Sequence, residues 1–194
     1  LSEGGPPSEG GLLVAVGTFL HGFDALVAAA DAAAAGLGIA GFAQIGGSRV
    51  VPRHLLWART LPPAELAARI GSARVVVCHG GVGILGEAMR AGRPIVAVPR
   101  RGPTTAGHPA GDQLPFLERL AGRFPIRLCV DPAALAAELA AALAGPATIA
   151  YPLGSDVPDL LARFLAGQGV GGGAGRGVRP QPGRPAGERA RRQT

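Results

Sequence analysis

From Leu12 onward, short apolar runs alternate with longer stretches of helical pattern. No other feature constrains the chain so strongly, because this alternation is the signature of βαβ units and of a parallel sheet buried on both faces. The runs place strands at Leu12–Val16, Ile39–Ile45, His54–Ala58, Arg74–Cys78, Ile95–Val98 and Arg127–Val130. Helical patterns occupy Phe23–Ala35, Pro63–Gly71, Val82–Ala91, Gln113–Ala121 and Pro132–Leu143, with a last one at Asp156–Leu165. Asp131 before Pro132 reads as an N-cap followed by Pro at the first helical position. The Ala-rich helices follow from the high helix propensity of Ala and need no special function.

Residues 1–11, rich in Gly, Pro and Ser, cannot bury enough apolar area to offset the entropy of ordering and read as a flexible leader. Residues 12–166 form the expected α/β domain, and 167–194 a disordered Gly, Pro and Arg-rich tail. A content of 47% hydrophobic against 16% charged residues suits one globular core. The net charge of +6 invites a nucleic-acid reading, but all basic residues are Arg, and six of them face the single acid Glu188 in the tail. The domain itself is thus nearly neutral, aromatic stacking platforms are scarce, and no nucleic-acid partner is expected. Cys78 and Cys129 each lie at the end of an apolar run, where a free thiol behaves as a small hydrophobe. Neither a disulfide framework nor metal-ligand spacing is present. The longest apolar stretch, Ala25–Ala43, is interrupted by Asp31 and falls short of a membrane span of roughly 20 residues. With no signal-peptide pattern, the expectation is a cytoplasmic protein.

In an open parallel sheet, ligands bind at the carboxyl ends of the strands, so the loops that follow them carry the chemistry. After the first strand come Val16-Gly17-Thr18-Phe19-Leu20-His21-Gly22, a glycine turn with a hydroxyl opening into a helix whose backbone N–H groups attract phosphate. Gln44-Ile45-Gly46-Gly47-Ser48 is a similar turn. The fourth strand leads into His79-Gly80-Gly81-Val82-Gly83-Ile84-Leu85-Gly86-Glu87-Ala88, then Gly92-Arg93-Pro94 before another strand. Glycines there let a backbone approach a pyrophosphate, and a helix starting near Val82 aims free N–H groups at it. Glu87, one turn into that helix, is placed to accept from a ribose diol. The bland alternative makes Glu87 a solvated helix acid and His79 a satisfied strand-end histidine.

This string, with Val16-Gly17-Thr18, Phe23-Asp24-Ala25-Leu26-Val27 and Gln44-Ile45-Gly46-Gly47-Ser48, resembles the donor-binding C-terminal domain of glycosyltransferase family 28. The likeness extends over Leu12–Leu143 and is nearest to the stand-alone catalytic subunits of lipid-linked-oligosaccharide and exopolysaccharide glycosyltransferases. It implies a Rossmann-like fold, the C-terminal half of a GT-B enzyme. It also implies a metal-independent hexosyl transfer from a UDP-sugar, UDP-N-acetylglucosamine or UDP-glucuronate, to a lipid-linked or polysaccharide acceptor. No cofactor is implied, the UDP-sugar being the donor substrate. A membrane-associated partner subunit would supply the acceptor site, placing the protein in the cytoplasm or peripherally on the inner face of the membrane.

Residue by residue, the resemblance gives His79, with the backbone of Gly80, Gly81, Val82 and Gly83, the diphosphate and the leaving group. Glu87 takes the ribose, Gly17 and Thr18 close on the phosphate, Ser48 lies on the donor side, and Asp112 and Gln113 read hexose hydroxyls. Asp112 is equally readable as a helix N-cap. His21 is either a catalytic helper or a solvent-facing loop histidine. The segment Thr60–Leu66 corresponds to the base-facing loop, where Pro62 and Pro63 have no N–H to offer. Two departures stand out: Ile84 replaces a hydroxyl residue against the phosphate, and Arg100–Gly111 carries only His108 among Pro and Gly. They favour the rival reading, a non-catalytic nucleotide-sugar-binding module. A third reading is an interaction protein acting through its basic tail.

Overall fold

A computed structural model of the chain describes residues 11–18, 22–101, 112–145 and 150–151. Six strands form one parallel sheet: β1 (Leu12–Ala15), β2 (Gly41–Gln44), β3 (Leu56–Ala58), β4 (Val75–Cys78), β5 (Ile95–Ala97) and β6 (Ile126–Leu128). Five helices connect or follow them: α1 (Asp24–Leu37), α2 (Pro63–Ser72), α3 (Val82–Arg90), α4 (Leu114–Ala121) and α5 (Leu135–Ala144). The spatial order is β3-β2-β1-β4-β5-β6, the doubly wound arrangement in which the strand order reverses between β1 and β4. In register, Leu12 lies opposite Gly41 and Val75, and Ala15 lies opposite Gln44 and Cys78.

Alternation along β1 divides the core into two layers, because successive strand side chains point to opposite faces. Leu12, Val14 and Val16 pack with Leu26, Val27 and Ala30 of α1 and with Leu135 and Leu139 of α5. Leu13 and Ala15 pack on the other face with Ile70 of α2, Leu85 and Met89 of α3 and Leu117 of α4. Both faces being covered, Val75-Val76-Val77-Cys78 needs no polar alternation and is buried throughout. Small side chains are what the seam between α1 and α5 requires; Ala33, Ala34 and Ala142 are buried in that layer. α1 ends on Gly38, whose φ of 64° is the left-handed conformation that closes a helix at low cost.

Each expected strand and each of the first five expected helices has its counterpart, with boundaries moved for local reasons. The third strand starts at Leu56 rather than His54 because Asp31 of α1 accepts the backbone N–H groups of Arg53, His54 and Leu55 at 2.8, 2.9 and 2.9 Å, which holds that segment away from the ladder. Burial raises the Asp31 pKa, but these three donors outweigh it and hold it below the ordinary carboxylate value. The last strand is Ile126–Leu128 rather than Arg127–Val130. Cys129 instead turns its thiol to the Asp131 carbonyl, and Asp131 caps the following turn through Ala133 N–H at 2.9 Å. That turn, Pro132–Ala134, is a 3-10 helix that leads into α5. Residues 1–10 of the expected leader 1–11, the helix expected at 156–165 and the tail lie outside the described residues.

Candidate functional site

The reversal between β1 and β4 brings the loops after β1, β2, β4 and β5 together at the carboxyl edge of the sheet. His79, the first residue past β4, sits in a slot between two glycines. A Cβ on Gly17 would come within 2.7 Å of His79 Cε1, and one on Gly81 within 2.6 Å of both Cε1 and Nε2. Any side chain at either position would have to displace the ring. Gly17 also adopts a φ of 77°, a conformation that L side chains avoid. Its N–H donates to Oε1 of the buried Gln44 at 3.1 Å, which ties the β1 loop to the end of β2. The nearest partner of His79 Nδ1 is the Ala15 carbonyl, at a long 3.5 Å. Burial, reinforced by the charge of Arg100, pulls the His79 pKa down to about 4, so the imidazole is neutral at pH 7.

Beyond His79 the chain turns through Gly80 and Gly81 into α3. Gly81 is the N-cap residue, and no side chain caps the helix. The intrahelical ladder begins with Leu85 N–H to Gly81 O, so the N–H groups of Val82, Gly83 and Ile84 precede it. Val82 is 71% exposed, and a Cβ on Gly83 would meet nothing within 4 Å. Among the described residues, the first turn of α3 thus presents uncapped donors and the positive end of a helix dipole to open space beside His79. Glu87, one turn further on, is half-exposed and paired with Arg90 on the same helix. Ile84 packs partly against the second core layer.

The remaining expected residues divide between the crevice and the scaffold. Thr18 is exposed on the β1 loop. Ser48 is buried, and its hydroxyl accepts the Phe23 N–H at 2.8 Å, holding the start of α1. Gln113 stands beside Gly80. Its Oε1 accepts from Gly80 N–H at 3.0 Å and Arg100 N–H at 3.1 Å, fastening the β4 loop to the β5 loop. Asp112 is not the helix N-cap, a position that falls to Gln113 because α4 starts at Leu114; it accepts the Leu114 N–H at 2.9 Å from one residue further back and pairs with Arg101 at 3.3 Å. His21 and His108 lie outside the described residues.

Two site residues escaped the sequence reading of roles. Gln44 and Arg100 are both buried at the carboxyl edge, Arg100 donating to the carbonyls of Gly22 at 2.7 Å and Val16 at 2.9 Å. The signal was a polar residue at the ligand end of an otherwise apolar strand, as in Gly41-Phe42-Ala43-Gln44 and Ile95-Val96-Ala97-Val98-Pro99-Arg100. Among the described residues no three His, Cys, Asp or Glu side chains cluster as metal ligands, and no helix is long and apolar enough to cross a membrane. A groove of about 290 Å³ lined by Pro94, Phe124, Ile126 and Arg127 lies at the opposite edge, where β5 and β6 begin, away from this crevice.

No family model and no curated protein sequence matches the chain. Solved structures do. The glycosyltransferase of kitacinnamycin is 23% identical with a TM-score of 0.54, covering 74% of this chain and 37% of its own. The calicheamicin glycosyltransferase is 21% identical at 0.53, covering 72% and 35%. The glycosyltransferase VinC, solved in complex with dTDP, is 21% identical at 0.50, covering 72% and 35%. The chain therefore spans little more than a third of the length of the structures it matches. What the likeness establishes is the fold: a six-stranded parallel sheet flanked by helices, the architecture of the C-terminal half of GT-B glycosyltransferases.

Proposed function

We propose that this domain is the donor-binding part of a glycosyltransferase and holds a nucleotide-sugar by its diphosphate in the crevice between β1 and β4. One observation carries the reading: the His79 ring lies between Gly17 and Gly81, beside the uncapped start of α3, at the point where the strand order reverses. Each part suits an anion. The glycines admit a backbone-close ligand, and N–H groups of Val82, Gly83 and Ile84 bind oxygens where the helix dipole is positive. As the glycosidic bond breaks, negative charge grows on the departing nucleoside diphosphate, and these preset dipoles stabilise it there. His79 contributes a hydrogen bond to the same oxygens, an anion at Nε2 favouring the protonated ring. In this reading the leaving group needs no metal.

Glu87 takes the ribose hydroxyls by exchanging its Arg90 partner for the diol, and Gln113, whose carbonyl oxygen already serves the loop, offers its amide N–H₂ to the hexose. The donor we favour is a UDP-sugar, with N-acetylglucosamine or glucuronate as the hexose, and the dTDP bound by VinC makes dTDP the base comparison to run. Acceptor and catalytic base come from outside the described residues, in our reading from a membrane-associated partner subunit acting on a lipid-linked or polysaccharide acceptor. Ile84 favours a second reading: an aliphatic side chain at the phosphate end of α3, half-committed to the core, suits a module that binds nucleotide-sugars without turning them over.

Calorimetric titration with UDP, dTDP, UDP-N-acetylglucosamine and UDP-glucuronate tests the proposal. Saturable binding that His79→Ala and Glu87→Ala abolish is the expected result. A folded protein that binds none of the four overturns it. Slow release of UDP from the bound sugar nucleotide, present in the wild type and absent in His79→Ala, separates the enzyme from the binding module.

A further inference from the structure

Arg100 is a buried cation, 8% exposed, at the carboxyl end of β5, and it reaches the β1–α1 loop from across the site. Its two terminal nitrogens diverge. One donates to Val16 O, the last residue before Gly17, and the other to Gly22 O, the last residue before the α1 N-cap. The guanidinium also lies over the Phe23 ring at 4.8 Å. In turn the backbone of Arg100 is fixed to Gln113 from both sides, N–H to Oε1 at 3.1 Å and C=O to the Gln113 N–H at 3.0 Å. One side chain thus ties both ends of the loop that carries Gly17 to the scaffold that also holds Gly80. A planar fork is suited to spanning two carbonyls in this way, whereas a single ammonium is not.

We propose that Arg100 is the positioning residue of the crevice: by bridging the Val16 and Gly22 carbonyls it presets the β1–α1 loop against His79 and sets a fixed positive charge behind the diphosphate. The ligand part of this inference rests on the donor-site reading above; the loop-setting part does not. Its charge adds to burial in opposing protonation of the His79 ring. Holding Val16 and Gly22 in place in advance removes an ordering cost that binding would otherwise carry.

The test compares wild type, Arg100→Lys and Arg100→Met in the full chain by three measurements: amide hydrogen exchange, UDP affinity and the His79 ring titration followed by NMR. Exchange at Gly17 and Phe23, whose N–H groups are held by Gln44 and Ser48, should accelerate by about tenfold or more in both variants as charged hydrogen bonds are lost, while exchange at Val76 and Val77 stays unchanged. UDP affinity should fall roughly tenfold in Arg100→Lys and further in Arg100→Met. The His79 titration should move up toward the ordinary value in Arg100→Met and stay low in Arg100→Lys, which keeps the charge; a merely structural role would not separate the two. Should Arg100→Met fail to fold, the Lys variant carries the exchange and affinity tests alone. Wild-type exchange at Gly17 and Phe23 in a folded variant overturns the loop-setting role. Accelerated exchange with wild-type UDP affinity overturns the ligand role. A wild type that binds no UDP overturns the donor-site reading, and exchange alone then decides the loop-setting role.

Discussion

Gly83→Ala should make the domain more stable and a poorer binder of nucleotide. Gly83 is the second residue of α3, and a methyl group there meets no atom of the described residues within 4 Å, so none of them resists it. Replacing a helical Gly by Ala relieves backbone entropy of about 0.5–1 kcal/mol, with the smaller value suited to a first turn. For a unit of this size that raises Tm by about 1–4 °C. The space the methyl fills is the space through which a diphosphate oxygen would reach the Gly83 N–H. Losing one hydrogen bond to a charged acceptor costs about 1.5–3 kcal/mol, or roughly 10- to 100-fold in Kd. Thermal unfolding and calorimetric titration with UDP on the same preparation read both signs. A lower Tm would refute the open crevice, and a UDP affinity equal to that of the wild type would refute close approach of the phosphate at this residue.

Gly81→Ala should do the reverse to stability: its backbone suits any residue, but the new Cβ lies 2.6 Å from a ring held on its other side by Gly17, so a loss of about 1–3 kcal/mol is expected in denaturant unfolding, with stability equal to wild type contradicting the slot. His79 makes the domain acid-sensitive. The unfolded chain takes its proton near pH 6.5 and the folded chain near 4, so between these values the unfolded state binds more protons and stability falls as pH is lowered, by on the order of 3 kcal/mol in all. His79→Gln should flatten that part of the stability profile, and parallel wild-type and variant profiles would contradict the depressed pKa. Asp31→Ala should cost about 1–3 kcal/mol, because three backbone N–H groups at residues 53–55 lose a charged acceptor at a half-exposed site, and proteolysis of the β2–β3 connection should speed up with it.

The sequence carried the sheet and the place of the site because both are written locally. Val75-Val76-Val77-Cys78 is a buried parallel strand by composition alone, and the glycines after His79 announce a turn into a helix at the ligand end. The roles of individual polar residues were less legible, since they depend on partners far away in the chain. Arg100 bonds a carbonyl 84 residues earlier, and Gln113 an N–H 33 residues earlier. Ser48, expected on the donor side, reaches back 25 residues to hold Phe23. Asp31 looked like a mere interruption of an apolar stretch, yet it sets where β3 begins. Periodicity reports which face a residue occupies; it carries no record of which loop folds over it.

In the proposed function the crevice between β1 and β4 receives the diphosphate of a nucleotide-sugar. Amide chemical-shift mapping of the full chain during titration with UDP-N-acetylglucosamine tests it most directly. Saturable shifts are expected at Gly17 and along Gly80–Ile84, with His79 ring resonances moving in step. Shifts confined to the groove at Pro94, Phe124 and Arg127, or none at millimolar ligand, would contradict it.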